Sequence, residues 1–477
     1  MLSRYDLLAA HQCLLRAWLR VGGVPGAAPP DLGPRRADLD EVRAFARARY
    51  PGGVAVDHDQ SWAARENATR RLLADDAVPA IFGGCFSHHG VEVRVGMMER
   101  VTGGWVVVEQ KGVNRIHEKH ELDVAASAWV AEGAGVVVLG RKLLHLDRDY
   151  VRGSSGVDPR QMFIEVNVDR VDFAETAAIL GLELASQPVV DVGEQCTRPR
   201  RCEFYDRCNP VPGPMSIHRL PKSGRVHQEL VARGIDDVRK VPSDVRLKPM
   251  QQHAVWSLVQ GREYVGHALG PALANVRFPL RFLDIECAAP PVPRWPGCRP
   301  FEQFPTQWSM HVLQADGTIE HSWHLHRDDS DPREAFARTL TAAAGTDGNI
   351  VVYSEGERQV LRKLAEHLPQ HWGDIDGMLD RTRELLRDLR DHYYHPNLDG
   401  SFSLKSVLPA VCPELAYTGL DIAEGAAAGK AWLNMVDVRT PPDERDRIAT
   451  ALLAYCERDT LGMLRLRERL LEKSQAT

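Results

Sequence analysis

The 477-residue chain has no apolar run of the roughly 18 residues needed to span a bilayer, and nothing in it reads as a membrane helix. Its first twenty residues lack the apolar core of a secretory signal, because Arg4, Asp6 and Arg16 interrupt them. The expectation is a cytoplasmic protein with no membrane partner. Positive charge is not in excess: 59 Lys and Arg stand against 65 Asp and Glu, for a formal charge of −6. That excludes a uniformly basic protein that coats nucleic acid, yet permits a local basic groove in an acidic chain. Internal repeats and low-complexity tracts are missing, and aromatics make up only 7%. With 44% hydrophobic and 26% charged residues the chain has ordinary globular composition, which rules out collagen-like, coiled-coil and wholly disordered classes. Its length calls for two to four domains.

Nine cysteines are present. In a reducing compartment a cluster of thiols points to metal ligation before disulfides. Cys85, Cys287, Cys298, Cys412 and Cys456 are scattered and read as small buried hydrophobes. Cys196, Cys202 and Cys208 are evenly spaced in CTRPRRCEFYDRC, and Cys13 is a fourth candidate near the opposite end of the same region.

The hydrophobic pattern suggests three α/β and helical regions. From residue 1 to 212, helical spacing covers Arg4 to Val21 and the surroundings of Trp62 to Leu73, and His117 to Glu132 reads as a further helix. Val91 to Met98 and Trp105 to Lys111 read as a hairpin around Gly103 and Gly104, followed by a strand at Val136 to His145. A shift to Pro, Gly, Ser and Lys near Pro212 marks a boundary. Residues 213–277 are expected to form a small helical linker, either a plain spacer or a module similar to a helix-hairpin-helix around Gly234. Residues 278–472 alternate strands and helices and end in a long helix.

Three acidic motifs fall in the last region. In FPLRFLDIEC, Asp284 and Glu286 are two apart on a strand, so both carboxylates share a face while Leu283 and Ile285 face the core. Side by side they repel unless a cation lies between them, and oxygen ligands suit Mg²⁺ or Mn²⁺. NIVVYSEGER places Glu357 in the first turn of a helix that comes after a buried strand. In ALLAYCERDTLGML, Tyr455 and Asp459 lie at i and i+4 on one helix face. Asp380 and Glu384 share another predicted helix face and could supplement the ligands. Lys405, with Tyr393 and Phe402, comes from HYYHP and GSFSLK; a lysine can meet phosphate and aromatic faces can stack bases, with plain packing as the alternative for the aromatics.

Asp-x-Glu, an acid opening a later helix and Tyr-x-x-x-Asp, in that order, resemble the DEDDy exonucleases of the DnaQ-like, ribonuclease-H-fold superfamily. The resemblance implies that Asp284, Glu286, Glu357 and Asp459 hold two divalent ions, Mg²⁺ or Mn²⁺, and that Tyr455 orients the attacking water. The second motif departs from the pattern, with Ser354 and a glutamate where relatives carry Asn and Asp. The chain as a whole resembles a bacterial family known as a domain of unknown function that joins a RecB-like nuclease module to a DnaQ-like one.

One early and three late cysteines enclosing an α/β core resemble iron–sulfur RecB-family nucleases. The resemblance implies a [4Fe-4S] cluster on Cys13, Cys196, Cys202 and Cys208, with zinc as the alternative. Glu109-Gln110-Lys111 matches the family's Glu-x-Lys, a possible second site. The partner aspartate is missing: Gly96 stands in its place, and Glu92, about 13 Å away along a strand, cannot substitute. Ser127 and Trp129 replace residues usual in relatives. The expected function is a metal-dependent 3′→5′ exonuclease, on DNA before RNA, with a degenerate N-terminal module that grips nucleic acid. The competing expectation is a non-catalytic nucleic-acid-binding or assembly protein in DNA repair or defence.

Overall fold

A computed structural model describes residues 2–27, 35–182, 186–209, 213–422 and 424–476. The chain divides into two units, one of residues 1–210 with 290–302, the other of residues 211–289 with 303–477. Both are mixed α/β. Among the described residues, no helix is long and apolar enough to cross a membrane.

The first unit carries a six-stranded sheet whose order is Val54–Ala55, Ala80–Phe82, Met97–Val101, Gly104–Lys111, Val138–Leu146 and Phe163–Asn167. A smaller sheet pairs Leu2–Ser3 with Val91–Arg94 and Val91–Arg94 with Cys85–His88. The helix Glu118–Gly133 buries an alanine-rich face, Ala125, Ala126 and Ala128 among them, against the core of Val93, Val107 and Leu143. Two expectations change here. The strand read as Val91 to Met98 breaks after Arg94, and the hairpin is formed by Met97–Val101 with Gly104–Lys111. The single helix expected from Arg4 to Val21 is two, Arg4–Gln12 and Leu14–Val21, because Cys13 is extended (φ −166°, ψ 122°) and interrupts the helical dihedrals.

In the second unit a five-stranded sheet runs in the order Ile319–Leu325, Phe304–Leu313, Leu280–Ala288, Asn349–Val352, Thr382–Glu384. Leu280–Ala288 is central, antiparallel to Phe304–Leu313 and parallel to Asn349–Val352. Leu283, with Ile285 beside it, packs into a cluster with Phe336, Leu340 and Leu361. On the other face Leu280 and Phe282 meet Met463, Leu466 and Leu470 of the 34-residue helix Pro442–Gln475. This second face is where the acidic residues emerge: the row that begins Leu280, Phe282 continues as Asp284, Glu286.

Residues 213–277 do not stand apart as a linker. Ile217, Leu220, Leu230, Leu258 and Leu273 share one core with Leu280, Tyr393 and Leu466. Within that stretch the helix Gly224–Ala232 ends at Gly234 (φ +68°), and the next element is a single 3₁₀ turn, Val238–Lys240. The segment Asp380 to Glu384 is also corrected: a helix ends at Asp380 and Thr382–Glu384 is an edge strand paired to Asn349–Val352.

Candidate active site

Asp284, Glu286 and Asp459 offer carboxylate oxygens that all lie within 4.8 Å of one another. The first two come from the central strand, the third from the C-terminal helix one turn beyond Tyr455. Glu286 and Asp459 are buried and Asp284 partly so. At 4 Å and an effective dielectric of about 20, each pair of anions repels by about 4 kcal/mol. Burial first, then the neighbouring carboxylates, push Asp284 well above the usual range and Glu286 up to about 8, while burial pushes Asp459 up to about 6. A divalent cation would satisfy the same oxygens without protons, so this donor set fits Mg²⁺ or Mn²⁺.

Glu357 faces this trio but is not within the 4.8 Å group. Ser354 caps the helix Glu355–His367, its hydroxyl accepting from the Gly356 N–H at 3.2 Å. Glu357 stands three residues after the cap, where the backbone and hydroxyl of Ser354 favour its charged form. One carboxylate oxygen, Oε2, is left buried with no hydrogen-bond partner. Burial raises Glu357 to about 7. The unpaired oxygen is an available ligand position, and the extra methylene relative to aspartate is taken up by the cap.

Around the carboxylates stand groups of three kinds. Tyr455 is buried beside Asp459, and its hydroxyl favours the charged form of that carboxylate. Tyr417, which no sequence signal singled out, donates its hydroxyl hydrogen bond to Asp459 Oδ1. Lys405 is the local cation: its Nζ lies 5.1 Å from the Tyr455 ring centroid and 5.8 Å from that of Tyr417, and its charge opposes the upward shifts of Glu286 and Asp459. Cys456, expected to be only a packing residue, donates through its thiol to Asp284 Oδ2 at 3.1 Å.

Two expected contributors are corrected. Tyr393 is fully buried and its hydroxyl donates to Glu263 Oε2 at 2.7 Å, and Phe402 is 7% exposed in the same core. Neither ring has a face free for a base. Glu384 sits apart from the trio, lining a cavity with Glu355, Arg358 and Asp388. A second converging group, His311, His321 and Glu457, lies on the neighbouring strands and the same long helix.

In the first unit Glu109 is buried, and its Oε1 accepts from Arg4 Nη1 at 2.8 Å and Ser127 Oγ at 3.1 Å. Lys111 Nζ pairs with Asp123 Oδ2 at 2.6 Å. Gly96 is directly beside Glu109: a Cβ there would stand 3.0 Å from Glu109 Oε2. The position of the missing aspartate is therefore occupied by backbone alone, and a guanidinium, not a second carboxylate, neutralises Glu109.

The four cysteines Cys13, Cys196, Cys202 and Cys208 are free thiols, none fully buried. Cys13 is within electrostatic reach of Cys202 and Cys208, and Cys196 of Cys208. The Phe204 N–H donates to Cys202 Sγ at 3.4 Å. Gln12 Nε2 bonds the carbonyls of Gln195 and Arg200, and Arg16 and Arg20 both clamp Glu203. Burial alone would raise Glu203, yet the two arginines bring it down to about 2. Among the described residues, the groups of three or more ligand atoms converging within 4.8 Å do not include these thiols. Tetrahedral zinc with bonds of about 2.3 Å needs sulfurs about 3.8 Å apart.

Residues 281–403 match the family model described as "Domain of unknown function (DUF2779)". The match spans Asp284, Glu286 and Glu357 and ends before Lys405, Tyr455 and Asp459. No curated protein matches the chain. No solved structure matches it either.

Proposed function

We propose that the protein is a metal-dependent nuclease, a 3′→5′ exonuclease of the DnaQ-like, DEDDy kind acting on DNA, with its active site in the second unit. The observation that carries this reading is the convergence of Asp284, Glu286 and Asp459, with an unpaired Glu357 oxygen facing them and Tyr455 beside the last of them. Four gathered carboxylates, Glu286 and Asp459 buried and Asp284 and Glu357 partly so, have no stabilising role of their own, since desolvating each charge costs several kcal/mol. They fit two hard divalent ions, Mg²⁺ or Mn²⁺, which when bound polarise a phosphodiester and lower the pKa of an attacking water. A central strand carrying Asp284 and Glu286 with a long helix laid on it supports a ribonuclease-H-like reading of this unit.

This chain's own residues have separate tasks. Asp284, Glu286, Glu357 and Asp459 would hold the ions. The hydroxyl of Tyr455, beside Asp459, directs a water toward the phosphorus, and Tyr417 keeps the Asp459 carboxylate in one orientation. Lys405 supplies positive charge where the transferred phosphate gathers negative charge.

For the first unit the reading is a RecB-like module without cleavage, because Glu109 is paired to Arg4 and no carboxylate stands at Gly96. Its four cysteines are assigned to a [4Fe-4S] cluster. Four thiols within electrostatic reach of one another, with an N–H donated to one sulfur, support a metal centre of this kind.

The test is a time course on single strands labelled at the 3′ or the 5′ end, with Mn²⁺ or Mg²⁺. Immediate loss of 3′ label with a shortening ladder of 5′-labelled products is expected, faster on DNA than on RNA. Intact strands under both ions would refute the reading, and preferential loss of 5′ label would refute its polarity.

A further inference from the structure

A cavity of about 450 Å³ in the first unit opens over Gly96 and Glu109; Arg4, Arg43, Arg47 and Arg94 line it against the two acids Glu92 and Glu109, with Trp62 at its side. Arg4 is spent on Glu109 and Arg43 is paired to Asp40 at 2.5 Å. Arg47 rests its guanidinium on the Phe82 ring, 5.1 Å from the centroid, and its Nε is buried with no hydrogen-bond partner. Next to it, both ring nitrogens of His58 and the Nε of Arg65 are likewise buried and unpartnered. His58 Nε2 and Arg94 Nε come within 2.7 Å and 3.1 Å of the point a Cβ on Gly83 would occupy. Gly83, whose N–H bonds the Gly96 carbonyl at 3.1 Å, thus leaves no room for a side chain between His58 and Arg94.

Such an arrangement is unfavourable by itself. Arg43, Arg47, Arg65 and Arg94 repel one another, and the Nε donors of Arg47 and Arg65 find no acceptor, although buried donors in folded proteins are almost always satisfied. Burial and this repulsion lower Arg47 and Arg94, and hold His58 below its usual range and therefore neutral. The missing component is an anion with several acceptor oxygens. Guanidinium forks match phosphate oxygens two at a time. The Trp62 indole, its N–H held by Ser87 Oγ at 3.0 Å, is a fixed aromatic surface of the kind on which bases stack.

We infer that this cavity is a metal-independent phosphate site that grips the backbone of a nucleic-acid strand through Arg43, Arg47 and Arg94. The choice of nucleic acid among phosphates rests on the proposed nuclease reading; the anion site itself does not. Arg4 takes the place a cation would need beside Glu109, so the strand is bound without being cut there.

The test measures binding of a fluorescent, 5′-phosphorylated oligothymidylate to the full-length protein in EDTA, where metal-dependent cleavage is silent. Arg47→Ala and Arg94→Ala should each weaken binding about tenfold. Each should also flatten the dependence of log affinity on log salt by about one unit. Arg47→Lys should retain the salt slope but not the affinity, and Arg148→Ala, at a side chain 76% exposed elsewhere on the unit, should change neither. Arg94→Gln, at an exposed strand end, guards against misfolding of the alanine variants and should behave as they do. Unchanged binding in Arg94→Gln and Arg47→Ala would overturn the site. Displacement of the strand by inorganic phosphate at equal concentration would overturn the nucleic-acid assignment. Failure of the metal-dependent cleavage assay with this binding intact would refute the nuclease reading alone.

Discussion

The Cys456 thiol donates a hydrogen bond to Asp284 Oδ2 across 3.1 Å, tying the C-terminal helix to the central strand at the point where the first carboxylate enters the site. This bond favours the charged form of Asp284 against burial and the three other carboxylates, which all oppose it. Cys456→Ala should therefore make Asp284 harder to deprotonate and Mn²⁺ harder to bind. Titration of activity with Mn²⁺ should show a higher half-saturating concentration at pH 7, with the difference shrinking as pH rises. An unchanged Mn²⁺ requirement would remove the thiol from the account.

The acidic cluster also sets a pH dependence of stability. Its folded pKa values lie above those of the unfolded chain: about 6 for Asp459, about 7 for Glu357, about 8 for Glu286, and higher than usual for Asp284. A raised carboxylate contributes stability that is complete below its unfolded pKa of about 4 and is lost as pH rises through the folded value. In EDTA the second unit should lose stability between pH 6 and pH 8, at about 1.4 kcal/mol per pH unit for each proton released. Metal binding needs the same groups deprotonated, so saturating Mn²⁺ should raise the unfolding temperature more at pH 8 than at pH 6. Scanning calorimetry under the four conditions checks this, and an EDTA profile that rises with pH would contradict it.

Packing behind the site is equally specific. Gly429 lies on the helix Gly425–Met435, and a Cβ there would stand 2.5 Å from the carbonyl oxygen of Cys287, next to Glu286. Backbone cannot yield as a side chain does, so Gly429→Ala should displace the helix at a cost of about 1 to 3 kcal/mol. Gly425→Ala on the same helix would bring its Cβ to 3.6 Å from Glu286 Oε2, an ordinary contact, and should leave the unfolding temperature near that of the wild type. Thermal unfolding of the pair separates close approach from a general effect of alanine.

Purified without oxygen, the protein should be brown and contain iron and sulfide. Cys202→Ser should lose both and unfold at lower temperature, because the proposed cluster would join the interrupted N-terminal helices to the cysteine segment that Gln12, Arg16 and Arg20 already hold. Stoichiometric zinc without iron, measured by elemental analysis, would contradict the cluster.

The parts of the site that local periodicity can express were legible in the chain. Asp284 and Glu286 follow from the two-residue repeat of a strand, and Tyr455 and Asp459 from the four-residue step of a helix. Ser354 as the cap and Glu357 in the first turn of the helix that follows were readable too. Contacts that depend on long-range folding carried no such signal. Tyr417 reaches Asp459 from 42 residues away, and Arg4 reaches Glu109 from 105. Tyr393 and Phe402 mislead for the opposite reason: an aromatic in a polar stretch looks available, but Glu263 supplies the acceptor that lets Tyr393 be buried. The helical segment 213–277 has apolar residues that look sufficient for a small unit, yet they are satisfied only in a core shared with Leu280 and Leu466.

The central claim is that the carboxylate trio brings divalent metal to a phosphodiester. Its most direct test is the initial rate of mononucleotide release from a 3′-labelled single DNA strand in Mn²⁺, for the wild type and for Asp284→Ala. The account predicts release by the wild type that EDTA abolishes, and a loss of at least about a thousandfold in Asp284→Ala, the scale of about 4 kcal/mol of transition-state stabilisation. Equal rates for the two proteins would contradict it.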